Sequence, residues 1–468
     1  MELHLTLRGP GRLARDAYDG LREAILDGRL RAGERLPSTR VLAARLGVSR
    51  NTLLSAYEAL VAEGFLEGHA GGGTVVAAGV AAAGVRRAPS ASPLAPRGAW
   101  ARALVLRTSE ASVPFDFQTG SPDPALFPWD LWRGLVSRRL RGRGARGGYG
   151  PPEGDPALRE ALAVHVGRAR GVRAGADDVL VTAGAQQAFD LAGRVLLRPG
   201  DVVAVEDPGY PPAREAFRAM GAKVVPVRVD RDGLVVEALP RGARLVHVTP
   251  SHQFPLGVPM SLERRLALLA WAARNRAAIL EDDYDSEFRF EGRPLDTLQA
   301  LDRAGRVLYV GTLSKVLLPA LRVGYLVAPA PLQPALRAAR ALADSHGPTD
   351  VQRALAELVG DGHLARHVRR VLRTYADRRA RLLEALAREL GDRVEVLPSA
   401  AGLHVCVLLR DRRADARALA RRALARGVRV EPLARYRLRA GPPGLALGFG
   451  LVPAAQIAEG IARLAKAF

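Results

Sequence analysis

Apolar residues along this chain follow two different periods. Over residues 12–68 they recur at helical spacing, as in "AYDGLREAILDGRLRAGERLPSTRVLAARLG", and predict compact amphipathic helices. From about Phe115 onward the texture changes. Short β-branched runs ("DDVLVTAG", "DVVAVEDPG", "KVVPVRVD", "ARLVHVTP", "AAILEDDYD" and "RVLYVGTLSK") alternate with long Ala/Leu/Arg stretches. These runs are apolar throughout, so they predict strands buried on both faces, joined by helical crossovers into a mostly parallel sheet. Between the two textures, residues 79–114 are rich in Ala, Pro, Ser and Arg with no steady period, which is linker composition. The expected organisation is therefore a small module over 1–78, a linker over 79–114 and a large α/β domain over 115–468. No short-period repeat is visible.

The first module reads as a winged helix-turn-helix. Ser38 is placed to cap a short helix ending near Gly47, which suits a left-handed turn. Ser49 is placed to cap a second helix that runs through Leu53, Tyr57, Leu60 and Val61. "GFLEGHAGGGTVV" then predicts two strands around a glycine-rich wing. Arg50, Asn51 and Thr52 open the second helix with side chains suited to phosphates and major-groove base edges, and Arg40 is within reach of the backbone. The stretch from "AYDGLREAILDG" through "GVSRNTLLSAYEALVAEGFLE" resembles the DNA-binding domain of GntR-type bacterial regulators over about 65 residues. That resemblance implies DNA contacts from Arg40, Arg50, Thr52 and the wing from His69 to Gly71. Leu54 departs from it, because some relatives carry an arginine there.

Charge alone does not identify a nucleic-acid binder. The chain has 468 residues and a net charge of +21, but residues 1–78 hold ten arginines against nine acids and residues 79–114 hold five against one. About +16 therefore lies in the large domain, where an arginine-biased surface accounts for it. A single cysteine, Cys406, excludes an internal disulfide framework and suits a reducing cytoplasm. The longest apolar run, "VVAAGVAAAGV", is too short and glycine-rich to span a bilayer, and no membrane partner is expected. No metal-ligand set is expected either.

Candidate chemistry enters through one residue. Of 69 basic residues only Lys223, Lys315 and Lys466 are lysines. Arginine cannot be deprotonated in a protein, so a lysine kept at a strand end, in "VGTLSKVLLPALRVGY", suggests amine chemistry. A phosphorylated aldehyde needs such an amine for a Schiff base, with hydroxyl and guanidinium donors for its phosphate. Thr312 and Arg322 flank Lys315 at suitable spacing. In "EDDYDSEF", Asp282 is placed to face a pyridinium nitrogen, and Tyr284 to bond a phenolic oxygen. In "TAGAQQAFD", Gly184, Ala185 and Gln186 open a helix whose free amides suit an anion. Tyr210 of "EDPGYP" adds an aromatic face.

Together these motifs resemble fold-type I aminotransferases dependent on pyridoxal 5′-phosphate (PLP). With the first module and with "YGPPEGDPALREALA" and "TPSHQFPLGVPMS", they resemble the MocR branch of the GntR regulators over nearly the whole chain. The resemblance implies that Lys315 takes up the cofactor's aldehyde, Asp282 pairs its ring nitrogen and Tyr284 its phenolic oxygen. Arg322, Thr312 and the Gly184 turn would hold the phosphate. Tyr149 would reach the neighbouring subunit's site in a head-to-tail homodimer. The partners it implies are double-stranded promoter DNA and an effector, either PLP or a small amine or amino acid. Two departures bear on turnover: Phe254 stands where aminotransferases keep a cofactor-bonding Asn, and Ala446 where they keep a carboxylate-binding Arg. Arg435 is the candidate to take over the carboxylate. These departures favour a sensor, with a working aminotransferase as the alternative.

Overall fold

The computed structural model describes residues 12–69, 73–80, 100, 113–141, 148–292 and 296–468. The chain forms two compact units, Met1–Ala95 and Pro96–Phe468. Most of the expected linker lies outside the described residues.

In the first unit, α1 (Leu13–Leu26), α2 (Thr39–Leu46) and α3 (Arg50–Ala62) precede an antiparallel pair, β1 (Leu66–His69) and β2 (Gly73–Val76). The caps form as the sequence indicates. Ser38 Oγ accepts the Val41 N–H at 3.3 Å, Ser49 Oγ accepts the Thr52 N–H at 3.1 Å, and Gly47 ends α2 at φ +67°. Leu53, Tyr57 and Leu60 are buried with Leu21, Ile25 and Leu42. Val61, on the same helix, is 43% exposed. One residue past Leu60 is about 100° around a helix, off the stripe that Leu53, Ala56, Tyr57 and Leu60 define.

The second unit is built on an eight-stranded sheet. Before it come a short strand, β3 (Phe115–Asp116), and two helices, α4 (Trp129–Arg141) and α5 (Pro156–Arg170). The sheet strands are β4 (Val179–Thr182), β5 (Val202–Asp207), β6 (Lys223–Asp230), β7 (Gly233–Leu234), β8 (Ala243–Val248), β9 (Ala278–Asp283), β10 (Val307–Thr312) and β11 (Gly324–Val327). Their spatial order is β4-β11-β10-β9-β8-β5-β6-β7. The central pairings, from β10 through β9, β8 and β5 to β6, are parallel, and the flanking ones are antiparallel. Alternate residues of one strand serve opposite layers. Leu280 and Leu308 pack with α6 (Ala185–Leu196), while Ile279 and Val307 pack under the helix Leu262–Asn275. Covering both faces in this way is what lets apolar runs form central strands.

β11 was not apparent in the sequence. After β10 the chain turns through Pro319–Leu321, Arg322 adopts φ +51°, and the strand returns antiparallel with Gly324 opposite Thr312. Beyond it, the long helix His363–Leu390 leads to a four-stranded antiparallel sheet containing His404–Leu409 and Gly444–Gly448.

The first unit is small enough that one core side chain decides whether it folds. Leu60→Ala is expected to cost about 2–5 kcal/mol, comparable with the whole stability of a domain this size. In hydrogen exchange, amides of residues 13–76 should lose protection while those of β5, β8, β9 and β10 keep theirs. Retained protection across α3 would contradict the packing described.

Candidate functional site

Three consecutive acids end β9, and the pleat sends them in different directions. Glu281 and Asp283 share one face, and both accept hydrogen bonds, though Asp283 Oδ1 is left without a partner. The Glu281 oxygens accept the N–H groups of Leu298 and Gln299 at 2.8 and 2.9 Å. Asp283 Oδ2 accepts from Arg170 Nε at 2.8 Å and Tyr309 Oη at 2.6 Å. Burial pushes the Asp283 carboxyl up, but Arg170 and these hydrogen bonds bring it below the usual carboxylate range. Asp282 points the other way, at the opposite face. It is buried, its Oδ1 has no partner, and His247 Nε2 lies 3.6 Å from Oδ2. Burial raises its carboxyl, with His247 opposing.

Asp282 lines a cavity of about 140 Å³ at the carboxyl ends of the parallel strands, where α/β folds bind ligands. Lys315, in the turn after β10, donates from Nζ to the Gly120 carbonyl at 2.6 Å. Burial holds its amine below the usual lysine value, while Asp285 and Asp282 pull the other way. Thr312, Tyr284 and Tyr210 form further wall. Ala185 and Gln186 bring the first turn of α6, whose amides lack partners within the helix. Gly184 caps that helix at φ +83°, and a Cβ there would stand 3.1 Å from the Arg322 guanidinium. Arg322 itself donates to the Ala183 carbonyl at 2.5 Å and reaches the cavity wall.

Phe254 also lines the cavity. Its ring meets Tyr210, Tyr284 and Tyr436 edge-on, with centroids 5.5, 5.7 and 5.0 Å away, so an aromatic cluster lines this side of the cavity. Ala446 is buried in the strand Gly444–Gly448, in register with Cys406 and Glu431. Glu206 braces the loop that carries Phe254. Its Oε2 accepts from Thr249 N, Thr249 Oγ1 and Gln253 Nε2, and burial pushes its carboxyl up to about 7.

Arg435 does not join this cavity, and neither does Tyr149, expected at a neighbouring subunit's site. Tyr149 is 93% exposed and stands edge-on to His346, 6.0 Å away. Arg435 pairs with Glu431 at 3.0 Å, and Glu431 in turn accepts from Thr119 and Tyr436. Sequence reasoning missed Gly120, Ser314 and Pro319 on the wall. A main-chain carbonyl such as that of Gly120 has no residue-type signature. In the first unit, Arg40, Arg50, Asn51 and His69 are exposed, Thr52 is half-buried and Ser49 is used as a cap. Gly71 lies outside the described residues.

The donor set fits PLP. It offers an amine, an orphaned buried carboxylate oxygen on the wall, and a helix start beside a guanidinium.

Comparison with known proteins agrees. Residues 136–464 match the family of class I and II aminotransferases, and residues 13–76 match the gntR family of bacterial regulatory proteins. The probable rhizopine catabolism regulatory protein MocR of Rhizobium meliloti is 38% identical over 97% of this chain and 93% of its own length. This chain belongs to the MocR-type regulators. Among MocR-type and related proteins, the pyridoxine biosynthesis transcriptional regulator PdxR of Corynebacterium glutamicum is 33% identical over 92% of this chain and 90% of its own. The large unit also resembles Pyrococcus horikoshii kynurenine aminotransferase, solved with PMP and its substrates and products. That structure shares 30% identity, covers 78% of this chain and 95% of its own, and gives a TM-score of 0.72.

Two measurements check this MocR-type site. Protein incubated with PLP should gain a visible band that borohydride removes, and Lys315→Ala should lose the band while staying folded. A band of full intensity in the variant would move the amine to another lysine. The second concerns Glu206, whose carboxyl is raised in the folded state. The native state then holds that proton between about pH 4.5 and 7, and stability falls as pH rises through this window. Glu206→Gln removes the titration, so its urea midpoint should gain on wild type from pH 5 to 7 and differ little at pH 4.

Proposed function

We propose that this protein is a DNA-binding transcription regulator whose large domain senses PLP, alone or joined to a small amine or amino acid. Phe254 carries this reading: a binding cavity with lysine, carboxylate and phosphate-binding groups in place has an aromatic ring where turnover uses an amide. Lys315 supplies the amine for the aldehyde, and Asp282 turns its unpartnered oxygen toward the ring nitrogen. Tyr284 serves the phenolic oxygen, and Tyr210 gives the ring an aromatic neighbour. Arg322, Thr312 and the amides of Ala185 and Gln186, set by the Gly184 turn, hold the phosphate. The bound cofactor supplies an exchangeable aldehyde carbon and an electron-withdrawing ring.

In this reading Arg435 leaves Glu431 to take a ligand carboxylate, and the exposed Tyr149 completes a partner's site in a head-to-tail homodimer. Promoter DNA is read by Arg50, Asn51 and Thr52 on a helix capped by Ser49. Arg40 and the wing from His69 to Gly71 touch the backbone. The name of the relative PdxR supports vitamin B6 metabolism as the controlled process, and that of MocR supports catabolism of an amino compound.

The second reading, a working aminotransferase with an accessory DNA-binding domain, is favoured by the 30% identity to kynurenine aminotransferase. Turnover with an amino-acid and keto-acid panel separates the two. Rates near the enzyme median of about 10 s⁻¹ would promote the enzyme, whereas the sensor predicts very slow or no transfer. Arg50→Ala should weaken operator binding by about 1–3 kcal/mol if it reads a base. If it touches phosphate, the loss should be uniform across sequences, with a salt slope lower by about one. Ligand and DNA should strengthen or weaken each other by one common factor. Unequal factors would disconnect the cavity from the DNA-binding unit.

A further inference from the structure

Behind Tyr284 lies a buried polar cluster that the cofactor reading does not use. Tyr284 Oη is 2.9 Å from His252 Nδ1, and the same nitrogen is 3.1 Å from Asp285 Oδ1. His252 Nε2 is 3.0 Å from Ser399 Oγ, which itself donates to the Ala401 carbonyl at 2.9 Å. Each of these groups is buried. Gly402, at φ +81°, makes room for the pair, since a Cβ there would collide with both the imidazole and the Asp285 carboxylate.

Hydrogen-bond direction assigns the protons. Ser399 has spent its hydrogen on Ala401, so His252 Nε2 must donate to it and therefore carries a proton. If Nδ1 were bare, its lone pair would face the Asp285 carboxylate across 3.1 Å with no hydrogen between them. With Asp285 ionised, Nδ1 therefore also carries a proton, and the pair is an imidazolium beside a carboxylate. That N–H points at Asp285 and at the Tyr284 oxygen together. The tyrosine oxygen then accepts from the histidine, and its own hydrogen is left for the cavity that Tyr284 lines.

We propose that His252 and Asp285 are positioning residues that make Tyr284 an obligate donor into the cavity, replacing the donor lost where Phe254 stands. The proposal rests on the cofactor reading, since the acceptor is the phenolic oxygen of PLP. His252, Asp285 and His404 also lie close enough to suggest a cation site. Yet a doubly protonated His252 has no lone pair to give, which leaves only Asp285 and His404 of the three. The other titratable groups facing the cluster are Asp282, Lys315, Cys406 and Glu206.

The experiment is a pH titration of the visible band of the PLP-loaded full chain. A donor to the phenolic oxygen draws charge from the Schiff-base system and lowers the band's midpoint. Tyr284→Phe should therefore raise it by about one pH unit, the order of one hydrogen bond to a charged oxygen. His252→Gln should raise it similarly, and should add nothing in the Tyr284→Phe background. Asp285→Asn gives a sign test. Simple removal of a nearby negative charge would lower the midpoint. Loss of the imidazolium lets Tyr284 turn its hydrogen to a bare Nδ1 and raises it. Ser399→Ala, which deletes one buried oxygen, should raise it by less, and it covers the case in which the charged variants do not fold. An unchanged midpoint in His252→Gln, additivity with Tyr284→Phe, or a fall in Asp285→Asn overturns the relay. Absence of any band in wild type overturns the cofactor reading instead.

Discussion

The cost of burying a carboxylate governs this molecule. A buried acid must be paired, hydrogen-bonded or neutralised. The end of β9 carries three in succession; two of them accept hydrogen bonds from the protein, with one Asp283 oxygen still open, and Asp282 accepts none within hydrogen-bond distance. Asp282 is left with an open oxygen. The surrounding architecture can be read as the apparatus that holds this acid in place. Helices on both faces bury the strand, Arg170 and Arg265 neutralise its neighbours, and the parallel arrangement brings Lys315 and the start of α6 to the same edge. An isolated buried charge is destabilising, so a group that completes it gains affinity from the fold's own frustration.

The second theme is substitution of function within an unchanged frame. Phe254 and Ala446, set by the resemblance at positions where aminotransferases keep polar groups, are both buried in one apolar cluster with Cys406, Leu433 and Tyr436. Catalysis by such cofactors depends on orienting a bond over the ring. In the proposed reading, binding and exchange depend on Lys315, Asp282 and the groups around Arg322, which line one cavity.

Much of this was legible in the residues. Six strand runs, both serine caps, Gly47 and eight cavity residues could be placed because each has a local physical signature, such as an apolar run, a capping hydroxyl or an amine where arginine is habitual. The remainder depended on distant pairings. β11 is only four residues long and took its direction from the turn at Arg322. Arg435 was readable as a cation, but not as the partner of Glu431 one turn earlier. His252 and Ser399, 147 residues apart, meet only when the small C-terminal sheet folds against the large one.

The amine of Lys315 rests on the main chain of Gly120, which has a consequence for genetics. No replacement at residue 120 can delete a carbonyl, but any side chain there meets both a strained φ of +69° and the Lys315 amine, 3.0 Å from its Cβ, so scanning that position mixes two effects. A second handle lies elsewhere. The segment carrying Gly120 is pressed against Gly448 and Gly450, where even a methyl group would strike the carbonyls of Gln118 and Ser121. Variation at two glycines more than three hundred residues away is thus a further route by which this contact can be altered. A phenotype mapped there would be a lysine phenotype in disguise.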